Sequence, residues 1–216
     1  MIDIAENLAA IRQRIAAAAA RARRDASEVR LIAVAKTKPA ELVRAAVAAG
    51  VRDIGENYVQ EAAAKRAAVG GDVTWHLIGR LQRNKIGKAL EIFDLIHGVD
   101  NAALGAALAR RAGESGRRAR ILVEVNVSGE SSKGGVAPHA LPALLDELRR
   151  LPLSIEGLMT VPAAGADPRP QFAQLRALRD AATLSELSMG MSEDFEIAIE
   201  EGATMVRVGR AIFGER

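Results

Sequence analysis

LIAVAKTKPAELVRAAVAAGVRDIGEN, Leu31 to Asn57, carries the unit from which the fold is read. It opens as a short apolar run suited to a buried strand, and that run closes on Lys36. Pro39 and an Ala-rich segment follow, and the segment stops at Gly50. Proline is favoured in the first turn of a helix and glycine just past its end, so the middle reads as helix. A second short strand, VRDIG (51–55), follows at once. Strands joined through a helix imply parallel pairing. Lys36 is the oddity, because lysine is costly to place beside a core.

The alternation extends both ways. Upstream, residues 3–24 read as an amphipathic helix with Ile4, Leu8, Ile11, Ile15, Ala18 and Ala22 on one stripe. Asp3 followed by Glu6 has the form of a capping box. With VRLIAVAK (29–36) counted first and VRDIG second, six more strand candidates follow: VTWHLIG (73–79), FDLIHGV (93–99), RARILVEVNV (118–127), LSIEGLMTV (153–161), LSELSMG (184–190) and TMVRVG (204–209). Helices are expected from Pro39 to Gly50 and over about 57–69, 82–90, 101–112, 137–150, 169–182 and 192–201. Eight such units in 216 residues suit an α/β fold, a (β/α)8 TIM-type barrel at the small end of its size range. An open doubly wound sheet is the alternative. No helix is read after the eighth strand, and the N-terminal helix is expected to cover that gap. No linker divides the chain, so residues 1–216 read as a single domain.

Composition narrows the function classes. The chain is 49% hydrophobic and 26% charged with only 3% aromatics, so the core is expected to be aliphatic. The formal charge of +3 and the pI of about 9.6 point only weakly to nucleic acid, because basic residues alternate with acids as in EAAAKRAA and DELRR. No aromatic-interleaved basic platform is visible. The absence of cysteine excludes thiol catalysis, disulfides and thiolate metal sites. His76, His97 and His139 lack metal-ligand spacing. No apolar run reaches the length of a membrane span and no leader pattern is read, so a cytoplasmic location is expected.

In a barrel the chemistry gathers where strands end, and phosphate is commonly held after strands seven and eight. The residues to read are therefore Lys36, then Gly55-Glu56-Asn57, Gly79-Arg80, Met159-Thr160, Met189 to Ser192, and Arg207 to Arg210. Lys36 shares parity with Ile32 and Val34, so all three are expected to face one side. Desolvation favours a neutral, nucleophilic amine, although a lysine snorkelling to solvent fits the spacing equally well. Lys38 is weaker, since its charge at a helix start opposes the dipole. Gly209 and Arg210 offer backbone N–H groups after a strand. Ser192 reads either as an anion contact or as a plain N-cap, and the neighbouring acids Glu193 and Asp194 would repel a phosphate.

The segments LIAVAKTKP, IGENYVQE, WHLIGRLQRNK, LVEVNVSGESSKGG, GLMTV and LSMGMSEDFEIAIEEGATMVRVGRAIFG occur in order along nearly the whole chain. Together they resemble the pyridoxal phosphate homeostasis proteins (YggS/PROSC type), which are similar to the barrel domain of alanine racemase standing alone. The resemblance implies pyridoxal 5′-phosphate (PLP) as cofactor, held as an imine on Lys36. It places Asn57 near the ring, and Ser192 with the backbone of Gly209 and Arg210 at the phosphate. It places Arg207 at the pyridine nitrogen, and His76 and Met159 at the mouth. Ile54, Val34 and Leu158 are expected to be ordinary core. An arginine facing the ring nitrogen donates only and would keep that nitrogen unprotonated, a poorer electron sink. In alanine racemases the second base is a tyrosine from a further domain, whereas the one tyrosine here is Tyr58. The expected role is therefore vitamin B6 homeostasis without turnover, with PLP and PLP-dependent apoenzymes as partners. Neither nucleic acid nor membrane is expected as a partner, and the chain is expected to be a monomer. The rival is a PLP-dependent racemase or lyase using His76 or Tyr58 as base.

Overall fold

The computed structural model describes residues 3–214. Its eight strands are β1 Arg30–Val34, β2 Asp53–Glu56, β3 Thr74–Leu77, β4 Leu95–Val99, β5 Ala119–Glu124, β6 Leu153–Met159, β7 Glu186–Ser188 and β8 Met205–Val208. They pair in sequence order, all parallel, and β8 returns to β1 to close a barrel. The open-sheet alternative is thereby set aside. The helices are α1 Ile4–Arg21, α2 Ala40–Ala48, α3 Val59–Val69, α4 Ile86–Ile92, α5 Ala102–Gly113, α6 Leu141–Arg149, α7 Arg169–Ala181, α8 Phe195–Glu200 and α9 Arg210–Phe213.

Strand parity sorts the core into two layers, because successive side chains point to opposite faces. Ile32, Leu95, Leu122, Met159 and Met205 form a cluster inside the barrel. Ala33, Ile54, Trp75, Leu77, Val123, Leu158, Leu187 and Val206 belong to the larger layer shared with the helices. Ile54 and Leu158 are core as expected, in the layer outside the strands. Few aromatics are needed, because short aliphatic side chains from many strands fill the inner layer.

The ends of elements differ from the sequence reading in specific ways. The strands stop earlier than their apolar runs, so Lys36 lies two residues past β1 in a turn. Past β5, Val125 lies outside the strand, in an isolated bridge to Val136. A helix does follow the eighth strand, the four-residue α9, which is too short to show a period. The N-terminal helix covers the remaining gap as expected: α1 buries Ile4, Leu8, Ile11 and Ile15 and packs against α8, α9 and α2. One half of the capping box forms, the Asp3 carboxylate accepting from the N–H of Glu6 at 3.0 Å.

Candidate functional site at the strand ends

The turn after β1 is held in an unusual conformation. Lys38 N–H donates to Ala35 O at 3.0 Å, and Thr37 between them has φ of 64°, a region that β-branched residues rarely adopt. Two side chains of α3 hold the turn there. Glu61 accepts from the N–H of Thr37 at 3.0 Å, and Lys65 Nζ donates to Ala35 O at 2.7 Å. Lys65 also pairs at 2.7 Å with Glu56, which is fully buried at the end of β2. Such strain persists only where the surroundings over-determine it, and it gathers at functional sites. The residue so presented is Lys36, half-buried. The parity argument holds, since Val34 and Lys36 line the same cavity of about 180 Å³ above the inner cluster. Val34, expected to be plain core, is a wall of this cavity together with Ile78.

The opposite wall comes from the loops after β7 and β8. Gly190 has φ of 90°, and a Cβ there would come within 2.5 Å of Ala198 Cβ, so the turn requires glycine. The helix expected from residue 192 begins instead at Phe195, with Asp194 in the capping position. Ser192 is therefore not an N-cap. The Asp194 carboxylate turns back and accepts from the N–H of Met191 at 2.6 Å. The N–H groups of Ser192, Glu193, Gly209 and Arg210 have no acceptor among the described residues, and all four residues line the cavity. Four amides and a hydroxyl beside a primary amine are a donor set for an anion, the part that a phosphate needs.

The acids nearby prove less hostile to an anion than the sequence suggested. Glu193 is paired with Arg210 at 2.6 Å, which turns that side chain to the rim and leaves the backbone of Arg210 for the cavity. Burial pushes the Asp194 carboxyl above the usual carboxylate range, against the pull of its bond to Met191 and of Arg207. Arg207 itself is buried in the wall, with Nη1 donating to Ser188 Oγ at 2.6 Å and Nη2 to Thr160 O at 2.8 Å. Burial lowers its pKa to about 10, and Glu124 and Asp194 oppose that fall, so it remains a guanidinium at neutral pH.

The structure thus brings Lys36, Ser192, Arg207, Gly209 and Arg210 together at one cavity. It does not bring His76 and Met159 to the mouth, which corrects that expectation. His76 is fully buried in the barrel with both ring nitrogens hydrogen-bonded, and Met159 is part of the inner apolar cluster. Parity turns both side chains inward, His76 from within β3 and Met159 from the last position of β6. Asn57 lies half-buried in the turn after β2 and does not line the cavity. Its backbone packs on Gly79, where a Cβ would sit 2.6 Å from Asn57 O. Tyr58 is 54% exposed and also lies outside the cavity lining.

Glu124 was missed, although it ends β5. Its carboxylate sits against the loop glycine Gly134. Burial and Asp100 push it above the usual range, while Arg207 and Arg80 pull it down. Among the described residues no group of three or more His, Asp or Glu side chains is placed to hold a metal ion. No helix among them is long and apolar enough to cross a membrane.

Comparison with known proteins follows the same lines as the geometry. Residues 7–216 match the family described as alanine racemase, N-terminal domain. A pyridoxal phosphate homeostasis protein of Pseudomonas aeruginosa is 45% identical, over 100% of this chain and 97% of that one. The protein of the same name from Escherichia coli is 40% identical over 100% and 98%. Among solved structures, PipY of Synechococcus elongatus with PLP bound is 42% identical with a TM-score of 0.87, covering 98% of this chain and 100% of that one. D-threo-3-hydroxyaspartate dehydratase from Delftia shares the fold at a TM-score of 0.68 and 24% identity, covering 95% of this chain and 59% of that one.

Proposed function

The chain belongs to the alanine racemase N-terminal-domain family and, within it, to the pyridoxal phosphate homeostasis proteins; from that membership we propose that it holds PLP covalently on Lys36 and serves vitamin B6 homeostasis without turnover. Residues 1–216 act as one PLP-binding domain, monomeric, which passes the cofactor to apoenzymes by exchange between amines. The observation that carries the reading is the clamped, strained turn that opens Lys36 into the same cavity as the β7 and β8 loop amides, which have no acceptor among the described residues.

When bound, PLP supplies an aldehyde that condenses reversibly with primary amines and a ring able to take up electron density. The chain's own residues divide the remaining work. Val34 and Ile78 wall Lys36 with apolar surface and limit the access of water to its amine. Ser192, with the backbone N–H groups of residues 192, 193, 209 and 210, forms the anion-binding end. Arg207 lines the same cavity as a donor that keeps a proton off any acceptor it faces. Asn57 holds the β2 turn against Gly79.

Two features favour holding over turnover. A ring nitrogen facing Arg207 stays unprotonated and is the weaker electron sink. The side chains first in line as a second base are also badly placed: His76 has both nitrogens engaged and Tyr58 is outside the cavity. The loaded protein is expected to be yellow, to bleach with borohydride and to carry the reduced label on Lys36, and Lys36→Ala is expected to lose all three. A reducible adduct at the same site in Lys36→Ala would remove Lys36 from this role. The enzymatic rival is read by incubating amino acids with the protein in heavy water, where α-deuteration above that of free PLP would restore it.

A further inference from the structure

Beneath the cavity the barrel contains polar side chains that holding a cofactor does not by itself require. They form one unbroken line across the interior. Arg207 on β8 bonds Ser188 on β7 at 2.6 Å, and Ser188 Oγ lies 2.9 Å from His97 Nδ1 on β4. His97 Nε2 is 3.0 Å from His76 Nδ1 on β3, and His76 Nε2 is 2.9 Å from Asp53 Oδ1 at the start of β2. Ser188, His97 and His76 are fully buried, while the Asp53 side chain keeps 17% of its surface exposed. Asp53 stands at the strand-start end of the barrel, away from the cavity, which the strand ends form.

The donor inventory gives the line a direction. Arginine only donates and a carboxylate only accepts. From the Asp53 end, His76 must present Nε2–H, which leaves its Nδ1 bare to accept from His97 Nε2–H. His97 Nδ1 is then bare and takes the hydroxyl hydrogen of Ser188. From the other end, Arg207 occupies one lone pair of Ser188 Oγ, and among the described residues His97 Nδ1 is the acceptor within reach of the hydroxyl hydrogen. Both ends set the same direction, and each polar hydrogen between them is used once. Burial above all, and after it the charges of Arg207 and Arg30, hold His97 well below the usual histidine range and keep its ring neutral.

We propose that Asp53, His76, His97 and Ser188 form a positioning relay that holds the Arg207 guanidinium in the orientation in which it faces the cofactor's ring nitrogen, from the opposite end of the barrel. The relay rests on the reading of Arg207 as the ring-nitrogen partner. None of its other members lines the cavity, so each acts through Arg207.

Asp53→Asn separates a relay from a merely satisfied polar core. Asparagine keeps the shape but donates as readily as it accepts, and the same change beside another buried histidine leaves geometry intact while switching the tautomer. When the amide of Asp53→Asn donates, the line reverses: His76 and His97 carry Nδ1–H, Ser188 accepts from both sides, and its own hydrogen loses its acceptor. Ser188→Ala cuts the line beside Arg207 and serves as the second variant.

The full chain labelled with ¹⁵N-histidine is read first without cofactor. Both histidines are expected to carry Nε2–H in the wild type, and Asp53→Asn is expected to show Nδ1–H as well. The chain is then loaded with PLP labelled at the ring nitrogen. In Asp53→Asn the Ser188 oxygen is shared with His97 and holds Arg207 less firmly, and in Ser188→Ala it is gone. The ring ¹⁵N shift and the visible band are therefore expected to move in both variants, while the label stays on Lys36. Nδ1–H on His97 in the wild type would overturn the relay, as would a ring-nitrogen signal unchanged in both variants. A wild-type chain that takes up no PLP overturns instead the reading of the cavity. Because the tautomers are read without cofactor, the two failures are told apart.

Discussion

Lys65→Met should expose how the turn bearing Lys36 is held. Lys65 is 7% exposed, and its ammonium lies 2.7 Å from Glu56 Oε1, 2.7 Å from Ala35 O and 3.4 Å from Glu61 Oε2. Methionine replaces the stem without the charge and strands Glu56, whose other oxygen, Oε2, is already without a partner among the described residues. Breaking a buried pair from one side costs about 3–5 kcal/mol. Protonation sets the pH at which that cost appears. Burial holds the Glu56 carboxyl above its ordinary value of 4.5 against the bond and charge of Lys65, and without Lys65 it rises further. An acid whose folded pKa is raised contributes stability that is present below the unfolded value and lost as pH rises through the folded one. The loss in Lys65→Met is therefore largest at pH 8 and shrinks toward pH 5. Urea unfolding of wild type and variant at both pH values reads the difference, in which the shared titrations cancel. Adding Glu56→Gln to Lys65→Met should recover most of the loss at pH 8, because a neutral amide leaves no stranded charge. An equal loss at both pH values, or no recovery in the double variant, would refute the reasoning.

Leu8→Ala removes a fully buried side chain from the face α1 turns to the barrel. It should cost about 2–5 kcal/mol in urea unfolding, and a loss under 1 kcal/mol would mean that α1 contributes little to the closed barrel. The neutral, buried His97 should make the wild type less stable as pH falls below about 6.5, because the unfolded chain takes up a proton that the folded ring refuses. The limiting slope is about 1.4 kcal/mol per pH unit, and His97→Asn should remove that component when urea midpoints at pH 7 and 5.5 are compared.

How much was legible follows from how far each feature depends on chain closure. The parity of Ile32, Val34 and Lys36 is local and put the three on one side, but a lysine reaching solvent fitted it equally well; the clamped turn past β1 decides for the cavity. The phosphate-type loops at Gly190 and Gly209 were legible locally too, since each is a short strand-to-helix turn. The two readings of Ser192, anion contact or helix cap, could not be separated in sequence, because they turn on where the helix starts, and it starts only at Phe195, after Asp194. Lys65 read as one more cation on an alternating helix surface. Only the packing of α3 on β2 turns it inward to Glu56 and Ala35.

The same division explains the histidines. His76 and His97 are 21 positions apart, and neither shows metal or nucleophile spacing. Their meaning comes from closure, which puts β3, β4, β7 and β8 around one interior and lets single residues from each form a line. A barrel therefore displays its strand-end chemistry to a reader of sequence and hides the mid-strand chemistry, although here the second supports the first. Lys36 and the amide cradle could be found one loop at a time. What orients Arg207 could not, because it begins at Asp53, a carboxylate at the far end of the barrel that only the closed sheet connects to the cavity.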